Sequence, residues 1–132
     1  MIVTLMTAGL CGLLYFWLSF RVVEVRLSAK VSLGDGGDEL LISRIRAHAN
    51  FAEYVPICLI LIAVIELSDS ISPWGLYAAG MCLVGARVAH AVGMARSVPG
   101  GKISPWRQVG AVGTWGILLG LSFWAMAKAV SY

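Results

Sequence analysis

The chain has 132 residues, 59% of them hydrophobic and only 13% charged, with a mean hydropathy of +0.84. A soluble fold of this size could not bury so much apolar side chain, so the composition excludes an aqueous globular protein and points to one integral membrane domain over residues 1–132. The net charge of +3 comes from cations at the borders of apolar stretches, not from one basic patch, which argues against nucleic-acid recognition.

Hydropathy draws four spans: Ile2 to Phe20, Leu40 to Leu67, Pro73 to Arg96 and Pro105 to Val130, each close to or above the ~20 residues that cross a hydrocarbon core. The first has no basic segment before it and no small-residue cleavage pattern after it, so it reads as a retained helix. Gly34-Asp35-Gly36-Gly37 then breaks the chain, and Asp38 is placed to cap the second helix while Glu39 complements its positive end. The glycine-rich turn lacks the Gly-Lys-Ser/Thr ending of a phosphate loop. Ser72-Pro73-Trp74 and Ser104-Pro105-Trp106 each supply an N-cap hydroxyl, a proline for the first helical position and an interfacial tryptophan. Gly110, Gly113, Gly116 and Gly120 in the fourth span, with Gly9 and Gly12 in the first, predict close helix packing. Cys11, Cys58 and Cys82 fall one per span with no metal-binding or redox spacing, and they read as filler.

Arg21, Arg26, Lys30, Arg44 and Arg46 flank the first connection, and Arg96, Lys102 and Arg107 flank the third. The second, from Glu66 to Ser72, has no Lys or Arg. The positive-inside rule therefore places the first and third loops in the cytoplasm and both termini on the other side.

Polar chemistry concentrates in two places. In the run from Arg44 to Pro56, Arg46, Asn50 and Glu53 share a helical stripe about 60° wide, while His48 points nearly the opposite way. In the third span, Arg87 and His90 lie one turn apart on one face. With Arg44 and Arg96 as interface marks, Glu53 should lie level with Arg87, and Asn50 with His90. Ionisable groups inside a membrane are expensive and are functional candidates by default. From the residues alone, three readings stay open: polar pairs that join two helices, a ligand site, or a proton-coupled transport site built on Glu53. Pro56 cannot donate to the carbonyl of Ala52, which predicts a kink or a free carbonyl beside Glu53.

The run Arg46-Ala47-His48-Ala49-Asn50-Phe51-Ala52-Glu53-Tyr54-Val55-Pro56 resembles the second-helix signature of the MAPEG family, the membrane-associated proteins in eicosanoid and glutathione metabolism. Arg87-Val88-Ala89-His90 resembles that family's third-helix motif, and the likeness extends over all four spans. The resemblance implies an all-α bundle of four transmembrane helices assembled as a homotrimer, with glutathione as cosubstrate near the cytoplasmic face of each subunit interface. It implies that Arg46, Asn50, Glu53, Tyr54, Arg87 and His90 contact glutathione, with no metal. Glutathione's two carboxylates suit arginine forks, and its ammonium suits Glu53.

The resemblance further implies an arginine at the start of the fourth helix that stabilises the glutathione thiolate. Arg107 is the expected residue and Lys102 the alternative, because a nearby cation favours the ionised thiol. Two departures stand out: Met94 replaces a tyrosine of the eicosanoid enzymes, and Gln108 follows Arg107 where the prostaglandin E synthase has a serine. The chain looks more like the short bacterial members. The expected function is a membrane-bound glutathione-dependent transferase in a bacterial inner membrane, acting on lipophilic electrophiles that arrive from the bilayer, and a peroxidase activity fits the same site. A proton-coupled exporter and a non-catalytic scaffold are the alternatives.

Overall fold

A computed structural model describes residues 1–68, 74–96 and 103–130. Four helices follow in chain order: α1 (Ile2–Ala29), α2 (Glu39–Ser68), α3 (Trp74–Arg96) and α4 (Pro105–Val130). Each is long and apolar enough to cross a membrane. The proposed cap at Ser72 and Pro73 lies outside the described residues, as does Lys102. Ser104 stands at the N-cap position, where its carbonyl accepts the N–H groups of Arg107 and Gln108 at 3.0 and 3.3 Å with Pro105 in the first helical position, but among the described residues its hydroxyl, the expected cap, makes no hydrogen bond.

Helix α1 runs nine residues past the predicted end at Phe20. Arg21, Glu24 and Arg26 stop the hydropathy signal, but charged residues are good helix formers, so the helix continues where the membrane preference stops. It ends at Lys30, whose φ of 55° is left-handed, and Val31 N–H returns to the Arg26 carbonyl at 3.0 Å. Gly34, Gly36 and Gly37 all have positive φ, which makes the following loop the predicted tight turn. Asp38 Oδ1 accepts the Leu41 N–H at 2.8 Å and caps α2 as predicted.

Helices α2 and α3 lie in the middle, α1 packs on both, and α4 packs on both from the other side. Among the described residues α1 and α4 do not touch. The core is built from Cys11, Phe51, Val55, Cys58, Ile62, Leu83 and their neighbours, with Leu13, Phe16, Ile60, Trp115 and Phe123 on the outside, as a lipid-facing surface requires. The closest seam joins α3 to α4. A Cβ on Gly110 would meet the His90 backbone nitrogen and sit 2.6 Å from the Ala86 carbonyl oxygen, and one on Gly93 would meet the backbone of Arg107.

The glycine expectation holds for Gly110, and Gly113 makes an ordinary contact with Ala86. Gly9, Gly12, Gly116 and Gly120 have no neighbour for a Cβ within 4 Å among the described residues, so they do not make the close packing predicted for them within the chain. Among the described helical residues the tight positions besides Gly110 are Gly93, Gly80 and Gly75, all in α3, the second against Thr7 and the third against Trp124. Composition shows that small residues are present; which of them face a neighbouring helix depends on the rotation of each helix about its axis.

At the other end of the bundle, Glu66 of α2 caps α1. Its carboxylate accepts the N–H groups of Val3 and Thr4 at 2.9 and 2.8 Å and the Thr4 hydroxyl at 2.6 Å, with the Met1 ammonium 3.2 Å away. The positive end of one helix is thus neutralised by a residue 62 positions along the chain.

Candidate functional site

Helix α2 carries the polar stripe in two environments. Arg46 and Glu53 are outside, with side chains 59% and 50% exposed and Arg46 Nη2 3.9 Å from Glu53 Oε1. Asn50, between them, is half-buried and turns inward, and Tyr54 is half-buried one residue beyond Glu53. His48 faces away as predicted, toward α1. Its Nε2 is 2.9 Å from Ser19 Oγ and its ring stacks on Tyr15 with centroids 4.5 Å apart. Helix α2 runs unbroken through Pro56. The carbonyl of Ala52 therefore lacks its usual donor, and both residues line a groove of about 270 Å³ between α1 and α2.

The inner layer belongs to α3. Arg87 is 1% exposed and His90 5%. Arg87 Nη2 donates to Asn50 Oδ1 at 2.9 Å, and Nη1 donates to Thr114 Oγ1 of α4 at 3.3 Å. The Thr114 hydroxyl in turn donates to the Gly110 carbonyl at 2.8 Å, which leaves its oxygen free to accept from the arginine. Arg87 Nε and His90 Nδ1 are buried and have no hydrogen-bond partner among the described residues. One guanidinium therefore joins α2, α3 and α4, and its hydrogen-bond partners among the described residues are neutral.

This arrangement corrects the predicted pairing. Glu53 lies with Arg46, not Arg87, and Asn50 meets Arg87, not His90. A second contact reports the same register: Ser43 Oγ donates to the Met94 carbonyl at 2.9 Å, and each member stands seven residues from its counterpart in the Asn50–Arg87 pair. The two helices are offset by three residues, about 4.5 Å, from the depth match based on flanking arginines. Arginines are poor depth marks because their long stems let the charge reach the interface from several ångströms away.

Arg107 sits in the first turn of α4, half-buried, with its backbone against Gly93 and its charge within electrostatic reach of His90. Among the described residues no hydrogen bond or ion pair joins it to Arg46, Asn50 or Glu53. The expected set thus divides into an outward group, Arg46 and Glu53; an inward group, Arg87 and His90; Asn50 and Tyr54, both half-buried, between them; and Arg107 on a separate helix. Met94 is buried and its carbonyl is taken by Ser43, and Gln108 is exposed.

Sequence reasoning missed Thr114. It is a hydroxyl in the middle of an apolar helix, seven residues from Arg107, while Arg87 is nine from Arg96. Counted from these flanking arginines, Thr114 and Arg87 differ in depth by two residues, so the pair falls within the scatter that such marks carry.

The chemistry available is a cation and an anion flanking a half-buried amide, on a helix face otherwise suited to lipid. Such a surface complements a small zwitterion with carboxylates. The model of the MAPEG family matches residues 4–127. The inner membrane protein YecN of Escherichia coli strain K12 is 34% identical over 117 residues, covering 89% of this chain and 85% of that protein. The YecN protein of E. coli O6:H1 strain CFT073 matches to the same extent. With four membrane-length helices and these matches over nearly its whole length, the chain is a membrane protein of the MAPEG family.

Proposed function

We propose that this protein is a glutathione-dependent transferase of a bacterial inner membrane, with both termini on the non-cytoplasmic side. Its site is completed between subunits of a homotrimer. The observation that carries the reading is the stripe Arg46, Asn50 and Glu53: a cation and an anion, each half-exposed on an apolar helix, around one amide. Charges on a lipid-facing surface are costly, so this face calls for water, ligand and a second copy of the chain to cover it.

On this reading Arg46 takes a glutathione carboxylate, Glu53 the ammonium, and Tyr54 a further polar group. Arg107 holds the sulfur as thiolate, and the thiolate forms the new C–S bond while the electrophile's leaving group or opened ring oxygen takes the electron pair. A lipid hydroperoxide is an alternative electrophile for the same sulfur. Glu53 beside Arg46 favours a ligand-binding carboxylate over the isolated acid that a proton-coupled exporter would use.

The test is titration of the detergent-solubilised protein with glutathione, followed by thiolate absorbance and melting temperature. Saturable binding that raises both, and that Arg46→Ala weakens, supports the reading. No change in either signal would remove it.

A further inference from the structure

The Asn50–Arg87 bond has a chemical direction. A guanidinium has five N–H donors and no acceptor, so the Asn50 amide must turn its oxygen toward Arg87 and its Nδ2–H2 group the other way. A neutral partner such as glutamine would accept either orientation of the amide; a cation accepts one. Arg87 cannot itself reach a ligand, being 1% exposed, closed off by α2 on one side and by Thr114 on the other. Asn50 is half-buried and sits in the stripe between Arg46 and Glu53.

As a device for stability alone the arrangement is poor. Among the described residues it buries a charge with no carboxylate opposite it and leaves Nε without a partner, where two neutral side chains would join the helices at lower desolvation cost. What the cation adds over a neutral partner is a fixed amide.

Building on the glutathione reading above, we infer that Arg87 is a positioning residue. It locks the Asn50 side chain so that Nδ2–H2 is presented on the Arg46–Glu53 face as a donor to a carboxylate or peptide carbonyl of the bound thiol peptide. Thr114 holds the other side of the guanidinium and keeps its plane in place. Of the residues that resemble the family's glutathione contacts, Arg87 then acts only through Asn50.

The test is a double-mutant cycle on the purified full-length protein, with glutathione affinity measured by calorimetry and melting temperature measured alongside. Loss of one donor to a charged ligand group predicts a roughly tenfold weaker Kd in Asn50→Ala. Arg87→Met should weaken binding to a similar extent, and in the Asn50→Ala background it should add nothing. Arg87→Lys, which stays donor-only, should keep most of the affinity. Asn50→Asp retains the bond to Arg87 but loses the donor, so its affinity should fall without loss of melting temperature. Wild-type affinity in Arg87→Met, or full additivity in the double variant, overturns the inference while leaving the transferase reading intact. Absence of glutathione binding in the wild type overturns both.

Discussion

Gly93 of α3 lies directly against the backbone of Arg107 in the first turn of α4. A Cβ there would stand 2.5 Å from the Arg107 Cα, so the start of α4 must move if the glycine is replaced. Gly93→Ala should cost about 1–3 kcal/mol by overpacking and shift Arg107 with the backbone. The expected result is a lower melting temperature together with reduced glutathione transfer to a lipophilic aryl halide. Equal activity at equal stability would show that the seam tolerates the methyl group.

Glu66 caps α1 across the bundle, and its removal should be felt locally. Glu66→Ala strips the acceptor from two backbone N–H groups and the Thr4 hydroxyl, at a cost near that of losing an N-cap, about 1–2 kcal/mol. Hydrogen exchange at Val3 and Thr4 should quicken while the α3–α4 seam stays protected. Unchanged exchange at these amides would mean that the carboxylate is not their main acceptor.

Arg46→Ala should separate binding from stability. Its contact with Glu53 is long at 3.9 Å and open to solvent, so it contributes under about 1 kcal/mol to folding. The melting temperature of the ligand-free protein should stay within a few degrees of the parent, while glutathione affinity drops at least tenfold, the scale of one lost charge-assisted contact. A large fall in stability with unchanged affinity would make Arg46 a folding residue.

Thr114→Val removes the acceptor for Arg87 Nη1 and conserves volume closely. The side chain is 1% exposed, so water cannot replace the lost partner, and the expected cost is about 1–3 kcal/mol. Loss of the second anchor should also loosen Asn50 and raise the apparent Kd for glutathione. Thermal melts and calorimetry on one preparation read both effects.

The parts of this protein legible without coordinates are those governed by neighbours in the chain. Partition into a bilayer is decided residue by residue over about 20 positions, and so the four spans were readable, with α2, α3 and α4 matching to within a residue or two. Asp38 and the glycines after Gly34 act within a turn of themselves and behave as their chemistry requires. The helical stripe was also readable, since 100° per residue places Arg46, Asn50 and Glu53 together and turns His48 toward Ser19 and Tyr15.

What only the tertiary structure decided is how the helices slide and rotate against one another. Asn50 meets Arg87 because α2 and α3 are offset by about 4.5 Å from the register that flanking arginines suggest, and nothing in either helix encodes that offset locally. Gly93 packs while Gly116 does not, and Glu66 finds the first turn of α1, for the same reason. Hydropathy and period determine which segments cross the membrane and which residues share a face. The pairing between faces is settled by side-chain packing over the whole bundle, where a shift of one helical turn exchanges every partner.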